Sequence, residues 1–108
     1  MITVSIVSHG HGKMVKNLIG KIQRRPNVSR IILTKNIPED LLLPENAVIR
    51  IIDNRYPQGF AANHNAAFSI ANTQYFCVLN PDIDFDVDPF PELLQAAQGM
   101  PFHTTQIE

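Results

Sequence analysis

Four aspartates, Asp82, Asp84, Asp86 and Asp88, alternate in the stretch NPDIDFDVDP that follows an apolar run. In an extended segment such alternation puts them on the same side. Carboxylates held so close repel one another unless a cation intervenes, and hard oxygen ligands of this kind suit Mg²⁺, Mn²⁺ or Ca²⁺. A solvated acidic loop is the alternative. An EF-hand is excluded, because counting from Asp82 its glycine position is Val87 and its closing glutamate position is Leu93.

Two further groups of residues could bind a ligand. His9 and His11 flank Gly10 in SHGHGK, where a glycine turn between a strand and a helix can present backbone N–H groups to an anion. The glycine spacing fits neither a Walker loop nor a dinucleotide fingerprint, and no further ligands stand by to make a zinc site of the two histidines. The other reading is a tight surface turn. In QGFAANHNAAF, Asn63, His64 and Asn65 interrupt a run of helix formers. Asn63 and Asn65 are about 200° apart around a helix axis and cannot share a ligand through one helical face. If the helix proper starts after them, both become capping or loop groups at its positive end, where a phosphate or a strand-end carboxylate is stabilised. A plain N-cap is the competing role.

The elements that must position these residues can be read from hydrophobic period. Residues 2–8 alternate as a strand, and Val15, Leu18, Ile19 and Ile22 mark one face of a helix over 14–25 that Pro26 closes. Residues 30–34 and 47–53 read as strands, and IPEDLLLPEN between them as a short helical turn bounded by prolines. A helix follows over 60–72, then the strand YFCVLN, whose near-continuous apolar character predicts burial on both faces of a parallel sheet. PFPELLQAAQ opens a last helix with Pro91 in its first turn. The order predicts an α/β fold, an open and mostly parallel sheet with helices on both faces and its strand ends along one edge. Strand ends of this type are where such proteins keep their ligands. Residues 99–108 carry no clear element and read as a tail or a truncated element.

The 108 residues form one domain at most. The net charge of −1 conceals an asymmetry: all 9 Lys and Arg lie in residues 1–55, whereas residues 56–108 hold acids and no Lys or Arg. No dense basic patch with interleaved aromatics exists, so nucleic acid is not an expected partner; the acidic half calls for a cation or for the basic half of its own fold. No apolar run is long enough for a transmembrane segment, and no leader pattern opens the chain. The expected location is the cytoplasm, with the inner face of the membrane as a variant. Cys77, alone, offers neither a disulfide nor a cysteine zinc site and reads as a buried core thiol.

Taken together and in order, PQGFAANHNAAF and YFCVLNPDI closely resemble the family 2 glycosyltransferases, in particular the rhamnosyltransferase-like members. These carry a Gly-Phe-x-x-Asn-x-Asn helix start followed by a strand ending Leu-Asn-Pro-Asp. The resemblance runs from the first strand to Leu94. It implies a Rossmann-like GT-A fold and transfer of a sugar, with inversion, from a nucleotide diphosphate sugar to a polysaccharide or lipid-linked acceptor, with Mn²⁺ or Mg²⁺ bridging the diphosphate. It also implies site roles: Asp82 as metal ligand, with Asp84 ranked below it, and Asn80 as a ribose or diphosphate contact. Gly59, Asn63, His64 and Asn65 would shape the donor pocket, and Ser8, His9 and Gly10 the nucleobase and ribose side. Lys35 stands where the family usually places a base-binding Asp, leaving Asn36 and Asp40 as the matching positions.

The same resemblance makes this chain the N-terminal, nucleotide-sugar-binding half, as a shortened chain or a natural short relative. The family keeps its acceptor site and general base in the other half, and without a base the acceptor hydroxyl is not activated. An apolar face left by the missing acceptor domain would favour a homo-oligomer. The competing reading is a non-catalytic module, a degenerate nucleotide-binding or subunit-association domain, to which Lys35 points. A receiver-type signalling domain is opposed by SHGH at the end of the first strand and by the Lys-free second half.

Overall fold

The computed structural model describes residues 1–43 and 46–98 and the backbone of 104–107. Its elements run β1 (Ile2–Ser8), α1 (Lys13–Ile22), β2 (Val28–Lys35), β3 (Ile49–Asp53), α2 (Phe60–Ile70), β4 (Tyr75–Leu79), α3 (Phe90–Ala97) and β5 (Thr104–Ile107). The strands form one sheet in the order β3-β2-β1-β4-β5, with every pairing parallel. Val4 of β1, for example, is in register with Ile31 on one side and Cys77 on the other.

Period-two alternation divides the sheet into two chemically different faces. Ile2, Val4 and Ile6 of β1, Ile31 and Leu33 of β2 and Tyr75, Cys77 and Leu79 of β4 pack with Val15, Leu18, Ile19 and Ile22 of α1 and with Phe90 and Ala97 of α3. The opposite face brings Ile32, Phe76 and Val78 against Ala67 of α2. One face therefore carries α1 and α3, and the other α2. Burial of β4 is complete along its length, as its continuous apolar run predicts. β1 differs, because Thr3 and Ser5 turn buried hydroxyls toward the α2 side. These are partnered: Thr3 Oγ1 lies 2.6 Å from Thr73 Oγ1, and Ser5 Oγ 2.8 Å from His64 Nδ1.

Helix boundaries follow local chemistry. α1 begins after Gly12, whose φ of 52° suits a residue without a Cβ. It ends at Ile22, earlier than the expected 25, because the Arg25 N–H bonds to the Ile22 carbonyl at 3.1 Å and the residue before Pro26 is steered out of the helical region. α3 is opened by Asp88, whose Oδ1 accepts the Phe90 N–H at 2.9 Å while Pro89 already has helical dihedrals and no N–H to satisfy.

One expectation is corrected. Residues 37–43 and 46 contain no helical turn; Pro44 and Glu45 lie outside the described residues. Leu41 instead drops into the core at 6 % exposure and anchors an irregular segment. At the other end, β5 falls within the 99–108 stretch read as a tail or a truncated element, and it pairs in parallel with β4 from Phe76↔Thr104 to Leu79↔Ile107.

Candidate functional site

The connection between β1 and its two neighbours creates the position where a ligand is expected. The strand order reverses at β1, which is flanked by β2 on one side and β4 on the other, and open α/β sheets hold their ligands at the carboxyl edge beside such a reversal. A cleft of about 180 Å³ lies there, lined by Val7 at the end of β1, Leu79, Asn80 and Pro81 at the end of β4, and Phe60, Asn63 and His64 from the first turns of α2. Asn36 and Gln58 complete the lining. The structure thus brings together the two motifs that are most distinctive in the sequence, the helix start after Gly59 and the Asn80-Pro81 strand end.

Asn36 and Asn63 line one wall, and Asn54 is hydrogen-bonded to both. Asn36 and Asn54 each stand one residue past a strand, and with Asn63 they form a closed amide network. Asn36 Oδ1 accepts from Asn54 Nδ2 at 2.9 Å, from Asn63 Nδ2 at 3.1 Å and from the Gln58 N–H at 2.8 Å. Asn54 Nδ2 also donates to Asn63 Oδ1 at 2.7 Å. The Gln58 carbonyl accepts from Asn36 Nδ2 and Asn63 Nδ2 at 3.0 and 3.2 Å. Asn36 and Asn63 are 7 % and 3 % exposed, and all their amide protons are engaged within the protein. Their geometry fixes the wall rather than reaching out from it.

α2 begins at Phe60, so Asn63 and Asn65 are inside the helix and not before it. Asn63 faces the network; Asn65 is exposed and borders a separate groove of about 400 Å³ with Phe60, Phe68 and Phe76. His64 lies on the ridge between that groove and the cleft, edge-on to Phe60 at a ring distance of 4.5 Å. Burial pushes its pKa below the ordinary value of 6.5, so the ring is neutral at physiological pH. Gly59 needs no special backbone: its φ is −74°, and a Cβ there would meet nothing within 4 Å.

The β1–α1 turn does not line the cleft: Ser8, His9 and Gly10 are outside its lining. Ser8 is fully buried, and its Oγ accepts the His11 N–H at 3.3 Å. The His9 N–H donates to His11 Nδ1 at 2.9 Å, and His9 Nδ1 accepts from Asn36 Nδ2 at 3.1 Å. Gly10 holds a φ of 78°, and a Cβ there would come within 3.3 Å of Ile37 Cδ1. His9 therefore joins the β1 turn to the asparagine wall.

The aspartates divide by role. Asp82, Asp84 and Asp86 are exposed while Ile83 and Phe85 turn inward, the alternation expected of an extended segment. Asp88 is used to start α3. Asp84 pairs with Lys21 of α1, and the hydrogen bond and charge of Lys21 hold its carboxyl below the usual carboxylate range. Asp82, next to Pro81, borders a groove of about 680 Å³ shared with Met14, Asn17 and Lys21 of α1. Among the described residues no three His, Cys, Asp or Glu side chains converge as a ready-made metal cage.

Lys35 pairs with Asp53, its register partner across β2 and β3, at 3.9 Å. Cys77 is buried in the sheet, which pushes its thiol pKa up to about 12 and leaves it inert as a nucleophile. Val7, Gln58, Phe60, Leu79 and Pro81 line the cleft without having been singled out in the sequence; nor was Asn54, which holds Asn36 and Asn63 in place and whose position just past β3, as Asn36 is just past β2, was a signal. No helix among the described residues is long and apolar enough to cross a membrane. No family model, curated protein or solved structure matches the chain.

Proposed function

We propose that the chain binds a nucleotide diphosphate sugar together with a divalent cation, as the donor-binding part of a family 2 glycosyltransferase with a Rossmann-like GT-A fold. The observation that carries this reading is the convergence of the α2 start with the Asn80-Pro81 turn on one cleft at the carboxyl ends of β1 and β4. The strand order agrees with a Rossmann-like arrangement.

The cleft is lined by amides, His64 and apolar side chains, with no Lys or Arg. A diphosphate bound there needs positive charge from elsewhere. Asp82, exposed and without a salt-bridge partner among the described residues, is the residue that would hold Mn²⁺ or Mg²⁺. Such cations accept one or two carboxylates and take their remaining ligands from phosphates and water, so a protein cage is not required. When bound, the cation supplies charge stabilisation to a departing diphosphate. Asn80 would meet the ribose or diphosphate. Calorimetric titration with UDP, dTDP and GDP, with and without Mn²⁺, tests the reading. Metal-dependent binding that disappears in Asp82→Asn is expected, and failure of all three nucleotides to bind overturns it.

The second reading is a non-catalytic module that keeps the fold. The Lys35–Asp53 pair and the internal saturation of Asn36 and Asn63 favour it, and it expects Asp82→Asn to change nothing.

A further inference from the structure

We propose that the loop between β3 and α2 is a preformed recognition element in which Tyr56 stacks on the base of a nucleoside diphosphate and Arg55 takes a phosphate oxygen. This inference rests on the nucleotide-binding reading above and adds to it the residues that grip the two ends of the ligand.

The loop is fixed at both ends and free in the middle. At its start, the Asn54 N–H donates to the Lys35 carbonyl at 3.0 Å, and Asn54 Nδ2 donates to Asn36 and Asn63. At its end, the Gln58 N–H and carbonyl are both held by the side chains of Asn36 and Asn63. Pro57 removes further freedom by locking its own φ. Between these anchors Arg55 and Tyr56 stand exposed, Tyr56 at 74 %. The anchored backbone of such a loop is ordered on folding rather than on binding, which lowers the cost of recognition to that of the two exposed side chains.

Placement supplies the second argument. Gln58 lines the cleft, and two residues of extended chain span at most about 7 Å, so the Tyr56 backbone lies within that reach of the lining, although the ring itself is exposed and outside it. Phe60, at the other end of the same segment, lies on the cleft's rim at 52 % exposure.

Charge supplies the third. Arg55 is the last basic residue of the chain, and no Lys or Arg lines the cleft. Among the described residues its guanidinium has no carboxylate partner. A planar π surface beside an unengaged planar cation matches a ligand with a ring at one end and an anion near it. That is the chemistry of a nucleotide.

The test uses whichever of UDP, dTDP and GDP the wild-type chain binds, together with its parent nucleoside, followed by NMR titration. Tyr56→Ala is expected to weaken both ligands about fivefold or more, the lower end of a base–aromatic contact, whereas Tyr56→Phe keeps the ring and stays within about twofold of wild type. Arg55→Gln is expected to weaken the diphosphate and leave the nucleoside unchanged. Both residues are exposed, so thermal midpoints should not move. Nucleotide binding that is indifferent to Tyr56→Ala and Arg55→Gln would overturn the loop's role and leave the nucleotide-binding reading intact. Absence of any nucleotide binding by the wild-type chain would overturn both.

Discussion

Asn54 Nδ2 donates to Asn63 Oδ1 at 2.7 Å, tying the end of β3 to the first turns of α2. Asn36 completes the triangle from the end of β2. Removing one member leaves buried donors and acceptors of the others unpaired, each at about 1–3 kcal/mol. Asn36→Ala should therefore lower stability by on the order of 2–3 kcal/mol in urea titration, more than Asn65→Ala, whose side chain is exposed.

Gly10 and Gly59 should separate in the same assay. At Gly10 the φ of 78° and the approach to Ile37 Cδ1 make Gly10→Ala destabilising by about 1–2 kcal/mol. At Gly59 the backbone is ordinary and the space open, so Gly59→Ala should stay within about 1 kcal/mol of wild type.

The Lys21–Asp84 pair gives a pH signature. A carboxyl whose pKa is lower folded than unfolded contributes stability above its unfolded pKa and loses that contribution as pH falls through its folded value. In Lys21→Gln, an NMR titration should find Asp84 moved up toward the ordinary carboxylate range. The urea midpoints of variant and wild type should converge on acidification. Because the two side chains are 43 % and 74 % exposed, the difference at neutral pH is small.

His64 predicts a loss of stability in acid by a different route. Its pKa is depressed in the folded state, so the unfolded chain binds its proton first, and stability falls as pH drops below the ordinary value of 6.5 until the folded-state value is passed. Proton NMR of the His64 ring should give a midpoint below 6.5. A midpoint at or above 6.5 would contradict the burial seen beneath α2.

What could be read from sequence was what hydrophobic period encodes. Val15, Leu18, Ile19 and Ile22 announce α1 and its buried face, and the apolar run of β4 announces burial on both sides. The pairing of the α2 start with the Asn80-Pro81 turn was implied by the family resemblance and not by local pattern, since the two segments are separated by a helix and a strand. Asn54 was only partly legible: its place at a strand end was a signal, but in NRYPQG it reads as an ordinary turn residue and its partners Asn36 and Asn63 are 18 and 9 positions away. The irregular 37–43 segment was missed for a related reason: Leu41 is held by the tertiary core, which overrides the local signal given by the flanking prolines. β5 is four residues long and has only Ile107 as an apolar member, too short a pattern to separate from a tail.

The unequal faces of the sheet bear on how the protein breathes. α1 and α3 are held by a broad aliphatic layer, whereas α2 rests on Ile32, Phe76 and Val78 and on hydroxyl contacts from β1. Local opening follows the weakest apolar seam. Amide protons of α2 should therefore exchange through a partial opening of lower free energy than global unfolding, while those of β1 and β4 wait for the whole sheet to come apart. Each such opening would also release the Asn63 bond to the Gln58 carbonyl while Asn36 keeps its own, so the α2 side of the cleft can loosen while the strand side stays in place.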